Sequence, residues 1–141
     1  MLFCLVVGVT DGDTLTARCG KEAPQTLTIR LAEIDAPERG QPFSARSKEH
    51  LASLCLRKEA EVRATTTDRF GRTVARVTCV GTDANAAMVE AGVAWAFTEY
   101  VTDPRLPELQ AHAMAKRGGL WTDPSPVAPW EWRRRMAEAR H

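Results

Sequence analysis

The sequence of 141 residues has no long apolar run, few histidines and almost no net charge, and each shortage narrows what the chain can be. No stretch approaches the length of about 20 apolar residues that a membrane-spanning helix needs. Nineteen Lys and Arg against eighteen Asp and Glu leave a net charge of +1, so nucleic acid is not held by a bulk basic field. The balance is uneven: residues 116–141 carry six basic and three acidic residues, the rest thirteen and fifteen. Any contact with a polyanion has to come from individually placed arginines, and from a cation that offsets local carboxylates. His50, His112 and His141 are too scattered to ligate a metal together. Cys4, Cys19, Cys55 and Cys79 match no zinc spacing; their even number fits two disulfides or four buried thiols equally. A glycine-rich phosphate loop, a serine nucleophile motif, repeats and low-complexity blocks are all missing.

What is present is the composition of one soluble domain, 44% hydrophobic and 26% charged, long enough to close a core of its own. Met1–Val7 is apolar but lacks a basic n-region and a small-residue cleavage site. It reads as a first strand, and the chain as a mature or trimmed form without its leader.

Leu2–Thr10 is rich in Val and Leu and runs into Asp11-Gly12-Asp13-Thr14, with a second β-prone run at Leu15–Arg18. Asp-Gly between two such runs signals a hairpin. Turn residues follow, then a strand over 26–33 whose alternation puts Leu27, Ile29 and Leu31 on one face and Thr28 and Arg30 on the other. Pro37 ends that ladder because it has no donor. An amphipathic helix is expected over 43–57 with Ser44 as its cap. A half-buried strand is expected over 59–66, a turn at Asp68–Arg72 and a return strand over 73–80. Asp83 or Asn85 caps a short helix that stops at Gly92. Residues 93–100 read as extended, and Asp103-Pro104 opens a last helix with Leu106, Leu109 and Ala113 inward. The stretch from Asp123 reads as a surface strap or a partly disordered tail. The fold class is α+β, mainly β: three strands, a helix, two more strands and further helices, the order of a five-stranded OB-fold barrel with three α-helices.

One strand end concentrates charge. Asp35 and Glu38 follow Arg30, and in a small barrel the hairpin acids Asp11 and Asp13 can meet them. Oxygen ligands of this kind suit a hard cation such as Ca²⁺, with water completing the shell. Arg30 and Arg72 can each grip a phosphate bidentately and would form an electrostatic clamp on a phosphodiester. Each motif has a plainer reading alone: turn chemistry for Asp-Gly, solvated loop charge for Asp35 and Glu38, a soluble hairpin end for Arg72. Arg30 resists it, lying among apolar neighbours. Arg133–Arg135 could touch nucleic acid, although short basic runs are usually solvated.

Taken together, DGDT at 11–14, IRLAEIDAPE at 29–38 and DRFGR at 68–72 resemble the staphylococcal nuclease (thermonuclease) family. The likeness continues through NAAMVEAG and the closing GGLW to Trp121, and PWEW resembles the tails of bacterial members. It implies one thermonuclease-like domain over 1–121 with a tail over 122–141, and hydrolysis of DNA and RNA with Ca²⁺ as cofactor, leaving 3′-phosphate ends. It further implies Ca²⁺ ligation by Asp13, Asp35 and the Ala36 carbonyl, with Asp11 acting on the site through water. Glu38 is implied as the general base, and Arg30 and Arg72 as stabilisers of the phosphorane-like charge. Ala36 stands where the type enzyme has Thr, and the loop after Glu38 is shorter. Arg69, Phe70 and Tyr100 fall at substrate-contacting positions, the first two with changed residue type, while Thr98 replaces a second tyrosine. Export, secreted or periplasmic, is the family's expectation; no membrane association and no obligate protein partner are expected. The rivals are a non-catalytic OB-fold module binding single-stranded nucleic acid and a structural domain in which the charged residues form an internal salt-bridge network.

Overall fold

The structure is a computed structural model describing residues 1–140, with His141 outside them. Strands β1 (Leu2–Asp11), β2 (Thr14–Cys19) and β3 (Gln25–Leu31) form the expected meander, each pair antiparallel. β5 (Glu59–Thr67) and β6 (Thr73–Cys79) form the second hairpin, and β5 also pairs with β1. The sheet closes because β3 runs parallel to β6, with Ile29 opposite Thr73 and Leu31 opposite Ala75. Closure removes the exposed edges an open sheet would carry. β1 serves both sides of the barrel, and its register against β2 shifts at Val6/Gly8 and again at Val9/Asp11. Such irregularities bend a strand and sharpen its twist.

The alternation seen in the sequence fills the barrel. Val6, Leu15, Ile29, Leu31, Val62 and Val77 are buried inside it. Helix α1 (Ser44–Cys55) contributes Leu51 and Cys55 to the same core, and α2 (Ala84–Glu90) contributes Met88 and Val89. Both pairs of cysteines are bonded. Cys4–Cys19 joins partners in the β1–β2 register, and Cys55–Cys79 ties the end of α1 to β6.

Several expectations change. Ser44 is the first residue of α1, not its cap; Phe43 holds that position in a left-handed conformation with no side-chain cap bond. Asp83, at the end of β7 (Thr82–Asp83), which pairs with β6, caps α2 by accepting from the Ala86 amide at 3.0 Å. Asn85 instead spends its amide on the barrel seam, accepting from Val77 N (3.0 Å) and donating to Ala32 O (2.9 Å) and Ala75 O (3.2 Å). Residues 93–100 are extended only at β8 (Trp95–Ala96), which pairs with β4 (Ile34–Asp35). The partner strand ends just before Pro37, so the ladder has nothing further to join. Most consequentially, residues beyond Trp121 are not a strap. A 3₁₀ turn at Gly119–Thr122 leads to α4 (Pro129–Ala139), so four α-helices occur among the described residues instead of three.

α4 begins with Pro129 at its first turn, where a missing N–H costs nothing. Trp130 then stacks on Phe97 with ring centroids 5.3 Å apart and planes within 3°, and meets Trp95 edge-on at 5.6 Å. Trp95 in turn packs on Trp121 at 4.5 Å. Trp130 thereby anchors α4 beside the β4–β8 pair.

An ionic network holds α3 (Arg105–Lys116) to the turn after β3. Glu33 accepts from the amides of Thr102 and Asp103 and pairs with Arg76. Asp103 accepts from the Arg105 amide at 3.0 Å and pairs with Arg76 and Arg105. Hydrogen bonds from Arg105 hold the Asp103 carboxyl down at about 2. A folded value below the ordinary 3.8 means that its stabilisation is complete above that pH and is lost as pH falls through about 2. Pro104, not Asp103, holds the cap position of α3, so Asp103→Asn removes the charge paired with Arg76 and Arg105 and should cost up to about 1 kcal/mol at pH 7. Denaturant melts should show the two proteins converging below pH 2. Asn85→Leu strands the buried Val77 amide and should cost about 2–3 kcal/mol with an unchanged denaturant slope.

Candidate active site

The site forms where three chain segments converge on the mouth of the barrel. The β1–β2 turn, Asp11-Gly12-Asp13, packs so closely on α1 that a Cβ on Gly12 would lie 1.8 Å from Ser47 Oγ and 2.8 Å from the Ala36 side chain. Glycine is required there by proximity. The turn is tightened by the Asp13 amide donating to Asp11 Oδ1 at 3.1 Å, an Asx-type bond.

Asp13 is only 7% exposed. Its Oδ1 accepts from Thr14 Oγ1 (3.1 Å) and its Oδ2 from the Ala36 amide (2.7 Å), so the hairpin and the segment after β4 are joined through one carboxylate. Arg30 lies on the β3 face opposite Ile29 and Leu31. Its Nη1 donates to Leu31 O (2.7 Å) and Ile34 O (2.9 Å), bracing the turn into β4. Its Nη2 lies 3.4 Å from Asp13 Oδ2 and 3.3 Å from Asp35 Oδ1. Asp35, 1% exposed, is among the most buried side chains of the protein.

This packing moves the carboxyls off their ordinary values. Burial, reinforced by the neighbouring Asp13 charge, pushes Asp11 up to about 7. Burial also raises Asp35, against the opposing hydrogen bonds from Arg133. In both, loss of water outweighs the nearby guanidiniums.

Glu38 sits half-buried at the rim. Its amide donates to Gln41 Oε1 (2.9 Å), and Gln41 Nε2 donates to Val127 O (2.6 Å), tying the post-Pro37 turn to the segment before α4. From α4 itself, Arg133 meets Asp35 with both guanidinium ends, Nη1 to Oδ1 (3.1 Å) and Nη2 to Oδ2 (2.6 Å). Its Nη1 also reaches Glu38 Oε1 at 2.5 Å.

Asp11, Asp13, Arg30, Asp35, Ala36 and Glu38 are therefore brought together. Arg72 is not bonded to them: it lies just before β6, on the strand that flanks β3, and its Nε donates to Asp68 Oδ2 at 2.7 Å. Arg69 and Arg72 lie 4.9 and 5.6 Å from the ring of Phe70, which is 69% exposed at the hairpin tip. Tyr100 is exposed in the loop before α3 with its ring edge on Phe97. Sequence reasoning missed Gln41 and left Arg133 as one of a solvated basic run. The available signal was the spacing of Trp130 and Arg133, three residues apart behind a proline, which puts an anchor and a cation on one helix face.

Residues 28–123 match the family described as Staphylococcal nuclease homologue. A Haemophilus influenzae protein named uncharacterized endonuclease is 42% identical over 131 residues, spanning 93% of this chain and 72% of that protein. Micrococcal nuclease of Shigella flexneri is 41% identical over 145 residues, 95% of this chain and 82% of its own length. Escherichia coli Protein ParB is 38% identical over 146 residues, 96% and 81% of the two chains. With the barrel, the acid-lined mouth and a match over most of its length, the chain belongs to the staphylococcal nuclease family.

Proposed function

We propose that this protein is a calcium-dependent, sugar-nonspecific nuclease that hydrolyses DNA and RNA phosphodiesters by water attack on phosphorus, leaving 3′-phosphate ends. The observation that carries the reading is the buried set of Asp13, Arg30 and Asp35 beneath a half-exposed Glu38, in a chain whose relatives include a named micrococcal nuclease.

The donor set suits a hard divalent cation. Asp11, Asp13, Asp35 and Glu38 are four carboxylates, and Arg30 and Arg133 are the two guanidiniums paired within the group. With every acid ionised, as it would be beside such an ion, the group would carry two more negative than positive charges, the charge of one divalent cation. No group of three His, Cys, Asp or Glu side chains among the described residues could enclose a metal. Asp13, Asp35 and the Ala36 carbonyl would hold calcium with water filling the remaining positions, as oxygen-ligated calcium allows. When bound, the cation supplies charge stabilisation to the phosphate.

The remaining chemistry belongs to the chain. Arg30, fixed by two carbonyls, opposes negative charge growing on the phosphoryl oxygens without having to reorganise. Arg72 adds a second guanidinium from the neighbouring strand once it leaves Asp68. Glu38 takes or orients the proton of the attacking water. Arg69, Phe70 and Tyr100 offer a cation and exposed rings to the nucleotide chain. The two disulfides support an oxidising, secreted or periplasmic location.

Plasmid DNA and RNA incubated with the protein in calcium should both be degraded, and chelator should stop the reaction. Products should accept a 5′ label from a kinase directly yet fail to prime a polymerase, as 3′-phosphate ends do. Glu38→Ala should lower kcat by about 10²–10⁴-fold and Arg72→Ala by about 10²–10³-fold, each with the fold intact by circular dichroism. Intact substrates in calcium would sink the enzyme reading, and binding without cleavage would favour the OB-fold module.

A further inference from the structure

Arg133 presents its guanidinium to the two carboxylates that the proposed function needs most, Asp35 and Glu38. A carboxylate offers about four lone-pair sites. On Asp35, Arg133 takes one on each oxygen, and Arg30 takes a second on Oδ1. One site on Oδ2 remains, directly beside a fixed positive charge. A divalent cation ligated by Asp35 would have to share that carboxylate with Arg133, and like charges at such range repel strongly in a buried setting.

The guanidinium is delivered to that position by a built support. Trp130, one turn earlier on α4, stacks on Phe97 and abuts Trp95. Pro129 is buried, and Gln41 bonds both the Glu38 amide and Val127 O. The neighbouring Arg134, in contrast, pairs among the described residues with Glu131 and Glu138 of its own helix. The side chain of Arg133 is 41% exposed, so it has open space into which it can withdraw while Trp130 keeps the helix docked.

We propose that Arg133 is a built-in competitor of the divalent cation: its guanidinium holds Asp35 and Glu38 in a closed, ion-paired state and must release Asp35 for the cation to bind. The inference rests on the calcium reading of the site and adds a regulation to it. While the pair persists, the one free lone pair of Asp35 lies beside a positive charge and Glu38 is engaged by the same guanidinium, so the site is held inactive. Cation binding and the Arg133 pair are linked equilibria, and each weakens the other by the same factor.

Isothermal titration with CaCl₂, without substrate, tests this on the full-length protein and on Arg133→Gln, Arg133→Lys and Arg134→Gln. Arg133→Gln should bind calcium about tenfold more tightly than wild type, within the usual span of coupling between sites. Arg133→Lys, which keeps the charge but loses the bidentate pair, should fall between them, and it carries the test if Arg133→Gln does not fold. Arg134→Gln should match wild type. Equal or weaker calcium affinity in both Arg133 variants would overturn the competition while leaving the calcium reading in place. Failure of every protein to bind calcium would overturn both.

Discussion

The position of Arg30 is the constraint on which the rest of the site depends. Its guanidinium caps the carbonyls of Leu31 and Ile34 and faces Asp13 and Asp35, so one side chain joins the end of β3, the start of β4 and the β1–β2 turn. Its neighbours make the cost of losing it large. Asp35 and Asp13 are almost wholly buried, and removing one partner of a buried ion pair leaves an uncompensated charge at a cost of about 3–5 kcal/mol. Arg30 can occupy that place because β3 closes against β6, and that seam is held by Asn85. A residue of α2 thus fixes the strand from which the proposed phosphate clamp projects.

Arg30 and Arg72 come from adjacent strands, yet they are held in opposite ways. Arg30 is buried and fixed by backbone acceptors, so it is ready in place. Arg72 is partly exposed and paired with Asp68 at its own turn, and exposed ion pairs of this kind are easily exchanged for a better partner. A phosphate approaching the hairpin competes with Asp68 for Arg72, whereas nothing in solution competes with the carbonyls for Arg30. In the proposed clamp the two guanidiniums would be a fixed jaw and a movable one.

The barrel was legible in the sequence because its signals are local: alternation in β3 and β5, Asp-Gly and Phe-Gly turns, and the cap at Asp83. The acidic group was legible because its members sit at the ends of those elements, where closure of a small barrel has to gather them. What escaped was set by distant partners. Helix α4 looks like a Pro-rich strap until Trp130 finds the surface made by Trp95, Phe97 and Trp121. Asn85 offers the same short amide to a helix cap or to a strand seam, and only the position of Ala32 decides between them. Residues 93–100 have strand composition, but β4 supplies just two residues with which to pair. Glu33 is the same kind of case: it looked like a strand end, and it accepts bonds from Thr102 and Asp103, about seventy residues away in the chain.

These distant contacts bear on the chemistry. Asp35 receives guanidinium bonds from Arg30, five residues before it, and from Arg133, ninety-eight residues after it. The first is part of the barrel and cannot leave without loss of the fold's local geometry. The second hangs from a helix docked by aromatic stacking, with its side chain near the surface. Buried negative charge has to be countered at all times, because an ionised carboxylate cut off from water and cation is too costly to keep. A site that is to admit a divalent cation therefore needs either protonated acids or a counter-charge that can withdraw. Asp11, pushed up to about 7 by burial, supplies the first in part. In the proposed exchange Arg133 would supply the second, from the rim and opposite a buried Arg30.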